Sequence, residues 1–394
     1  MAKRANIAVF LYLLLILVIY ILTINTSFIK YQWDSVEIAS WADKGKYVVP
    51  YQQHHMLITG LNLIWCNIWK FFGYNGRCLM PLRFLNCIFG AVGVTGFFIL
   101  LSKIFRKVIT AVFGSLGLAF SIYYWAFSTD AEVHILPISI FIYCLILLFS
   151  FEEFKIKKVI LLGFLHSLCI YLAGIYVFFV PAIIAGIIIN IGNRQNIYKA
   201  LIWYLFSLAM FWAIPFFVIG IYHYGINSGL KYSNDIARHI FIWFRTSECL
   251  IPLRWYNLFN ARVAFCYFCT IHYINRCDGL TIFWGFIAII LYLLFLPVFL
   301  KNSKEMVKNF SKLLLIVFCM IIPYQFITII YHPFNAERYV YFLPALWLLL
   351  SFIAYPFFTS RLTLLRILPF ILIGFIFFTN LLFYIYPRHL NAIR

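Results

Sequence analysis

Acidic side chains are scarce in this chain of 394 residues, which has 12 Asp and Glu against 31 Lys and Arg. Charged residues of both signs make up 11% of the chain, where a soluble domain carries about 25%. With 65% hydrophobic residues and a mean hydropathy of +0.95, that shortage excludes a soluble globular core. Internal repeats, low-complexity tracts and heptad arrays are also missing, which excludes solenoid and coiled-coil assemblies. No glycine loop of the phosphate-cradling kind occurs, which argues against a nucleotide ligand.

What the chain has instead is apolar length. Stretches of roughly 17–25 apolar residues recur throughout, each enough to cross a hydrocarbon core of about 30 Å. The expected fold is an all-α polytopic membrane protein, one domain over residues 1–394, with about eleven transmembrane helices. The expected spans are 7–27, 81–101, 108–127, 134–151, 158–172, 174–191, 199–222, 279–300, 311–331, 338–358 and 364–386. The first follows Lys3 and Arg4 like a signal peptide. It lacks a small-x-small cleavage site and is read as a retained span. Met56 to Phe72 is short and rich in Trp, which suits a helix lying in the membrane interface.

Charge sets the orientation. Lys103, Arg106 and Lys107, then Lys155, Lys157 and Lys158, then Arg194 and Lys199, then Lys301, Lys304, Lys308 and Lys312, then Arg361 and Arg366 all fall on the N-terminal side. Basic residues stay cytoplasmic when counted over short loops, so the N-terminus is expected inside and the C-terminus outside, in the cell (plasma) membrane. A net charge of +19 would suggest nucleic acid in a soluble protein. Here it points to membrane lipids as partners and not to nucleic acid. Most of the ten cysteines lie inside apolar spans and read as small hydrophobes. Cys266, Cys269, His272 and Cys277 have a spacing that a metal or a disulfide could use.

In this orientation every acid except Glu152, Glu153 and Glu305 lies outside. The outer face has two long loops, 28–80 and 223–278, each expected to carry interfacial helices, and several short turns. In the first loop Asp34 and Glu37 are three apart and share a face if helical. Partial desolvation beside a span would raise the proton affinity of Asp34, as a general base requires; an ion pair with Lys30 or Lys44 is the alternative. His54 and His55 are candidates for holding a phosphate or metal, or are merely solvated. The turn Ser128-Thr129-Asp130-Ala131-Glu132-Val133-His134 brings two acids and a histidine together. Its donors could hold a sugar hydroxyl, or a divalent cation through His134 with Glu132. Equally, Thr129 or Asp130 could cap the next helix. In the turn before the 338–358 span, Glu337 and Arg338 are candidates for substrate binding, because a guanidinium fork matches phosphate oxygens; a structural ion pair with Glu337 or Asp34 is the alternative for Arg338. Arg254 stands among aromatic residues of the second long loop, either on an interfacial helix or on a packed lid.

An acid directly after the first span, Ala131-Glu132-Val133 between later spans, and Glu337-Arg338-Tyr339 leading to Leu343-Pro344 resemble the GT-C glycosyltransferases. The likeness is to the protein O-mannosyltransferase and aminoarabinose-transferase branch. Asp34, Ser35 and Glu37 match an Asp-Ser-Gly-Glu stretch, and His54 or His55 stands at the family's histidine. Val36 replaces the glycine, the Pro-Pro-Gly after the histidine is missing, and His134 stands where tyrosine is usual. The resemblance implies a GT-C-like architecture and transfer of a sugar from a polyprenyl- or dolichyl-phosphate donor to a lipid, glycan or protein acceptor at the outer face. It implies Asp34 as base, and Glu132 with Asp130 as a second acidic site. A polysaccharide polymerase or ligase, or a lipid-linked sugar transporter, are the alternative readings. The transporter predicts discontinuous helices and acids buried within spans.

Overall fold

The computed structural model describes residues 2–24, 33–45, 57–150, 155–191, 194–215, 279–331 and 336–387, with single positions at 218, 268, 271 and 272; at 2–6, 33–34, 279, 281, 326–331 and 336–338 it describes backbone alone. Among the described residues the regular elements are all helical, with no strand. This is the expected outcome for a chain whose apolar runs must satisfy every backbone polar group within themselves.

Helices α1 (Ala2–Leu22), α2 (Trp33–Asp43) and α3 (Ile58–Phe71) precede the long α4 (Leu79–Phe105). α4 is the hub, packed against α1, α5 (Val108–Phe120) and α7 (Ile135–Leu148). Its 27 residues run about 40 Å. Glycines at 90, 93 and 96 let neighbours approach its backbone: Tyr20 and Ser128 meet Gly90, Tyr124 and Ser139 meet Gly93, and Tyr143 meets Gly96. Small residues serve this purpose where lipid supplies no hydrophobic drive between helices. Arg106 ends α4 in the left-handed region at φ 53°, its N–H bonded to the Ser102 carbonyl, and the chain reverses into α5 within two residues.

α5 does not continue as one straight helix to residue 127. Ser121 adopts an extended conformation (φ −58°, ψ 132°), and α6 (Ile122–Ser128) leaves at 67° to α5. The bend is held from far away in sequence, since the Trp347 indole donates to Ser121 Oγ at 2.8 Å. Gly117, one turn back, leaves the space that the Trp347 ring fills.

After α7 come α8 (Ile156–Leu172), a 3-10 segment Gly174–Phe179, α9 (Val180–Asn190) and α10 (Arg194–Leu208). The later elements are α11 (Gly279–Leu293), α12 (Leu296–Tyr331), a 3-10 segment Ala336–Phe342, α13 (Leu343–Thr359) and α14 (Thr363–Asn380). α13 packs against α5 and α12, and α14 returns to α5, where Asn380 donates to the Phe120 carbonyl at 2.8 Å. The expected span at 279–300 breaks at Leu294–Phe295 instead. The lysine-bearing connection after it is helical, joined to the next span through a kink at Phe310 (φ −117°, ψ 19°). Lys301, Lys304 and Lys308 project outward there while Met306 and Leu313 are buried, so this segment has an inward apolar edge and an outward basic one.

Four helices among the described residues are long and apolar enough to cross a membrane, or five if the bent pair α5–α6 is one span. Others are apolar but shorter. The 14 residues of α7 run about 21 Å, less than a bilayer core of about 30 Å. Outward surfaces are strongly apolar: α1 exposes Ile7, Phe10, Leu11, Leu14, Leu15, Val18 and Leu22. A soluble monomer rarely shows so continuous an apolar stripe.

The packing at Ser121 generates a prediction. A methyl group on Gly117 would fall inside the Trp347 ring, so Gly117→Ala is expected to cost about 1–3 kcal/mol through overpacking. Thermal unfolding in detergent checks it, and an unchanged midpoint would contradict the described α5–α13 contact.

Candidate active site

The site lies at the N-terminal end of α4, where α2, the turn 128–134 and the 3-10 segment Ala336–Phe342 meet. It begins with a charge in an apolar helix. Arg83, one turn into α4, is buried, and its Nε donates to Asp130 Oδ1 at 3.1 Å; the two side chains are 2% and 1% exposed. Burying either charge alone would be costly, so removing one partner is strongly penalised. Asp130 Oδ1 also accepts the Ala131 N–H at 2.8 Å.

One turn further along α4, Asn86 fixes the rest of the loop. Its amide donates to the carbonyls of Asp130 and Glu132, both at 2.6 Å. Arg83 and Asn86 are three apart, so one face of α4 grips side chain and backbone of the same turn. Thr129 does not cap α7; its hydroxyl donates back to Trp125 and Ala126. α7 begins at Ile135 with His134 at its cap position, and no side chain caps it. The turn's polar groups are therefore spent on α4 and on the site, which displaces the capping reading for Thr129 and Asp130.

Glu132 then links the other two segments. Ser35 of α2 donates to Glu132 Oε1 at 3.0 Å, and His134 Nε2 lies 3.9 Å from Glu132 Oε2. His134 Nδ1 is 2.6 Å from the Tyr341 hydroxyl, either atom being able to donate. A polar chain of Ser35, Glu132, His134 and Tyr341 thus crosses the site, and Glu132 within it is 7% exposed. In surroundings of low dielectric the two hydrogen bonds at its ends, Ser35–Glu132 and His134–Tyr341, are stronger than in water.

α2 packs here along a narrow stripe of small and apolar side chains. Ser35, Ile38, Ala39 and Ala42 form the buried stripe at helical spacing, while Val36 and Glu37 are exposed. The stretch holding Asp34 and Glu37 is helical. Glu37, however, faces away from the buried contact, which Ser35 makes instead. Asp34 is the second residue of α2, immediately before Ser35. Glu337 and Arg338 lie in the 3-10 segment that also carries Tyr341; at Asp34, Glu337 and Arg338 the backbone is what is described. His54, His55 and Arg254 lie outside the described residues.

As a metal site, His134 with Glu132 supplies two donors, one atom of each already hydrogen-bonded to Tyr341 and Ser35. Among the described residues no group of three or more His, Cys, Asp or Glu could hold a metal. Of the second-loop group, Cys266, Cys269 and Cys277 lie outside the described residues. His272 is buried, with Nε2 3.2 Å from the Tyr292 hydroxyl. Burial pushes its pKa down to about 3, so it remains neutral.

Three residues that sequence reasoning did not single out complete the arrangement: Arg83, Asn86 and Tyr341. The signal for the first two was present, since a cation and an amide three apart at the start of an apolar span need a partner. Comparison with protein-family models, curated proteins and solved structures gives no match.

Asn86→Leu is expected to orphan two buried carbonyls at about 1–3 kcal/mol each. Detergent-solubilised protein should lose stability accordingly, and retention of the wild-type midpoint would show that Asn86 does not clamp the turn.

Proposed function

We propose that the protein is a membrane glycosyltransferase of GT-C type, which moves a sugar from a polyprenyl-phosphate-linked donor to an acceptor at the outer face. In this reading the chain crosses the plasma membrane about eleven times, with its N-terminus in the cytoplasm and its C-terminus outside. The donor's tails lie against the apolar helix surfaces, and its head group lies among α2, the 128–134 turn and the 336–342 segment.

The observation that carries the reading is the Ser35–Glu132 hydrogen bond at 3.0 Å. It joins the residue after the first-loop acid to the second acidic turn, although the two are far apart in sequence. The His134–Tyr341 contact at 2.6 Å adds support, because it draws in the segment that carries Glu337 and Arg338. These are the three segments on which the resemblance rests.

The chemistry follows from the residue types. The Asp34 carboxylate accepts a proton from the acceptor hydroxyl or amine as that atom attacks the anomeric carbon. The bond from that carbon to the phosphate oxygen breaks, and the phosphate departs from the opposite face, so the anomeric centre inverts. Arg338, with Arg254 of the second outer loop, meets the negative charge developing on the departing phosphate. Glu132, fixed by Ser35 and flanked by His134, orients the acceptor or the sugar hydroxyls.

A lipid-linked sugar transporter is the second reading. It is favoured by the 67° elbow between α5 and α6, since transporters build sites from discontinuous helices. One experiment separates the two. Asp34→Asn, assayed in membranes with radiolabelled polyprenyl-phosphate sugars, is expected to lower transfer by about 10²–10⁴-fold at normal protein level. Transfer at the wild-type rate would remove Asp34 as base and move the weight to a polysaccharide ligase or a transporter.

A further inference from the structure

The end of the bundle opposite the candidate active site carries a basic surface that the proposed reaction does not use. α4 bears Arg83 near one end and Phe105 at the other, about 33 Å apart along the helix, which matches a hydrocarbon core of about 30 Å. At Phe105 the chain meets the kink of α12. The Phe310 ring centroid lies 5.1 Å from that of Phe105 and 5.2 Å from that of Tyr355 on α13. Phe299 and Phe310 both pack against Phe352, and Phe295, just before α12, packs against Phe357. These rings fasten the first part of α12, residues 296–310, to the helices beneath it. Lys107 joins the same place, its Nζ 5.6 Å from the Tyr355 ring centroid.

The outward side of this segment combines two kinds of group. Lys301, Lys304 and Lys308 are exposed, and so is Lys312 just past the kink. Among them Leu296, Leu300 and Val307 are exposed as well, at 48%, 59% and 46%. Glu305 is the one acid in the segment, and among the described residues no ion pair engages these lysines. Bulky apolar side chains set among lysines suit the depth at which head groups meet acyl chains. Lysine stems lie along such apolar surface and lift the ammonium to the level of the phosphates. The turn between α4 and α5 repeats the pattern, with exposed Arg106 next to exposed Val108 and Ile109.

We propose that residues 296–310, with Arg106 and Lys107, form a binding surface for anionic phospholipid head groups of the cytoplasmic leaflet. The charge selects the lipid, because clustered bases beside a span attract anionic head groups and gain little from zwitterionic ones. The aromatic platform of Phe105, Phe310 and Tyr355 holds the bases in place, so the surface is built before lipid arrives. The choice of leaflet rests on the orientation in the proposed function. The preference for anionic lipid rests on the surface alone.

The test uses the purified full chain in a neutral detergent. Phosphatidylglycerol and, separately, phosphatidylcholine are titrated in, and bound lipid is counted by native mass spectrometry. Phosphatidylglycerol is expected to bind more tightly. Lys301→Gln/Lys304→Gln/Lys308→Gln should weaken it by about 10–10²-fold and leave phosphatidylcholine unchanged. Lys155→Gln/Lys157→Gln/Lys199→Gln, which removes three exposed bases at α8 and α10, should keep most of the preference. Equal binding of the two lipids by the wild type, or equal losses in the two triple variants, overturns the surface. The unfolding midpoint without lipid separates lost lipid from lost fold; where the first triple variant unfolds early, Lys304→Gln alone, expected to weaken phosphatidylglycerol by about fivefold, supplies the comparison. The leaflet is read separately, with Lys308→Cys on intact cells treated with an impermeant maleimide and compared with the parent chain. Labelling only after permeabilisation is expected. Labelling from outside overturns the cytoplasmic placement and the proposed function with it, whereas a missing lipid preference with residue 308 shielded overturns the lipid surface alone.

Discussion

A single buried ion pair, Arg83 with Asp130, determines how the polar end of this bundle is built. Each partner is almost wholly removed from solvent, and two charges taken out of water must meet closely or not be buried at all. Once Asp130 is drawn to α4, the turn that bears it can adopt few conformations. Asn86 then takes up the carbonyls on either side of Ala131. The side chains of Glu132 and His134 are thereby aimed at α2 and at the 336–342 segment, which dock through Ser35 and Tyr341. Arg83 holds the side chain of the turn and Asn86 holds its backbone, from the same face of α4.

The apolar bulk of the protein makes this possible. α4 is lined by glycines that admit Tyr20, Tyr124 and Tyr143, so the helix bearing Arg83 and Asn86 is held from several sides. α6 delivers the acidic turn by leaving α5 at a bend that Trp347 stabilises from α13. The same contact ties the turn's position to the late helices, whose preceding segment carries Tyr341. Aromatic packing around His134, by Phe127 on one side and Tyr341 on the other, keeps the imidazole where Glu132 can meet it.

Much of this was legible in the sequence, in ways that follow from period and composition. Helical edges near Leu79, Val108 and Ile156 were visible because apolar runs end at basic connections, and α3 fell within the short Trp-rich segment. The 128–134 turn stood out by its charge, and it is held by Arg83 and Asn86 of α4. The bend at Ser121 was not, because serine is no helix breaker and its cause lies 226 residues away. Asp34 and Glu37 were expected to share a face if their stretch were helical, and it is helical. Which residue of that helix would meet the acidic turn was not visible: the stripe of Ile38, Ala39 and Ala42 turns Ser35 inward and leaves Glu37 exposed. The pairing of Arg83 with Asp130 spans 47 residues, and one sequence holds no register from which to infer it.

The most direct measurement is a double-mutant cycle on Arg83 and Asp130, read as unfolding free energy in detergent. With Arg83→Met and Asp130→Asn, each single change is expected to cost about 3–5 kcal/mol, because it leaves an unpaired buried charge. The double variant should cost clearly less than the sum, by about 1–3 kcal/mol of coupling. Additive losses, or a single change without effect, would mean that the pair does not organise the site.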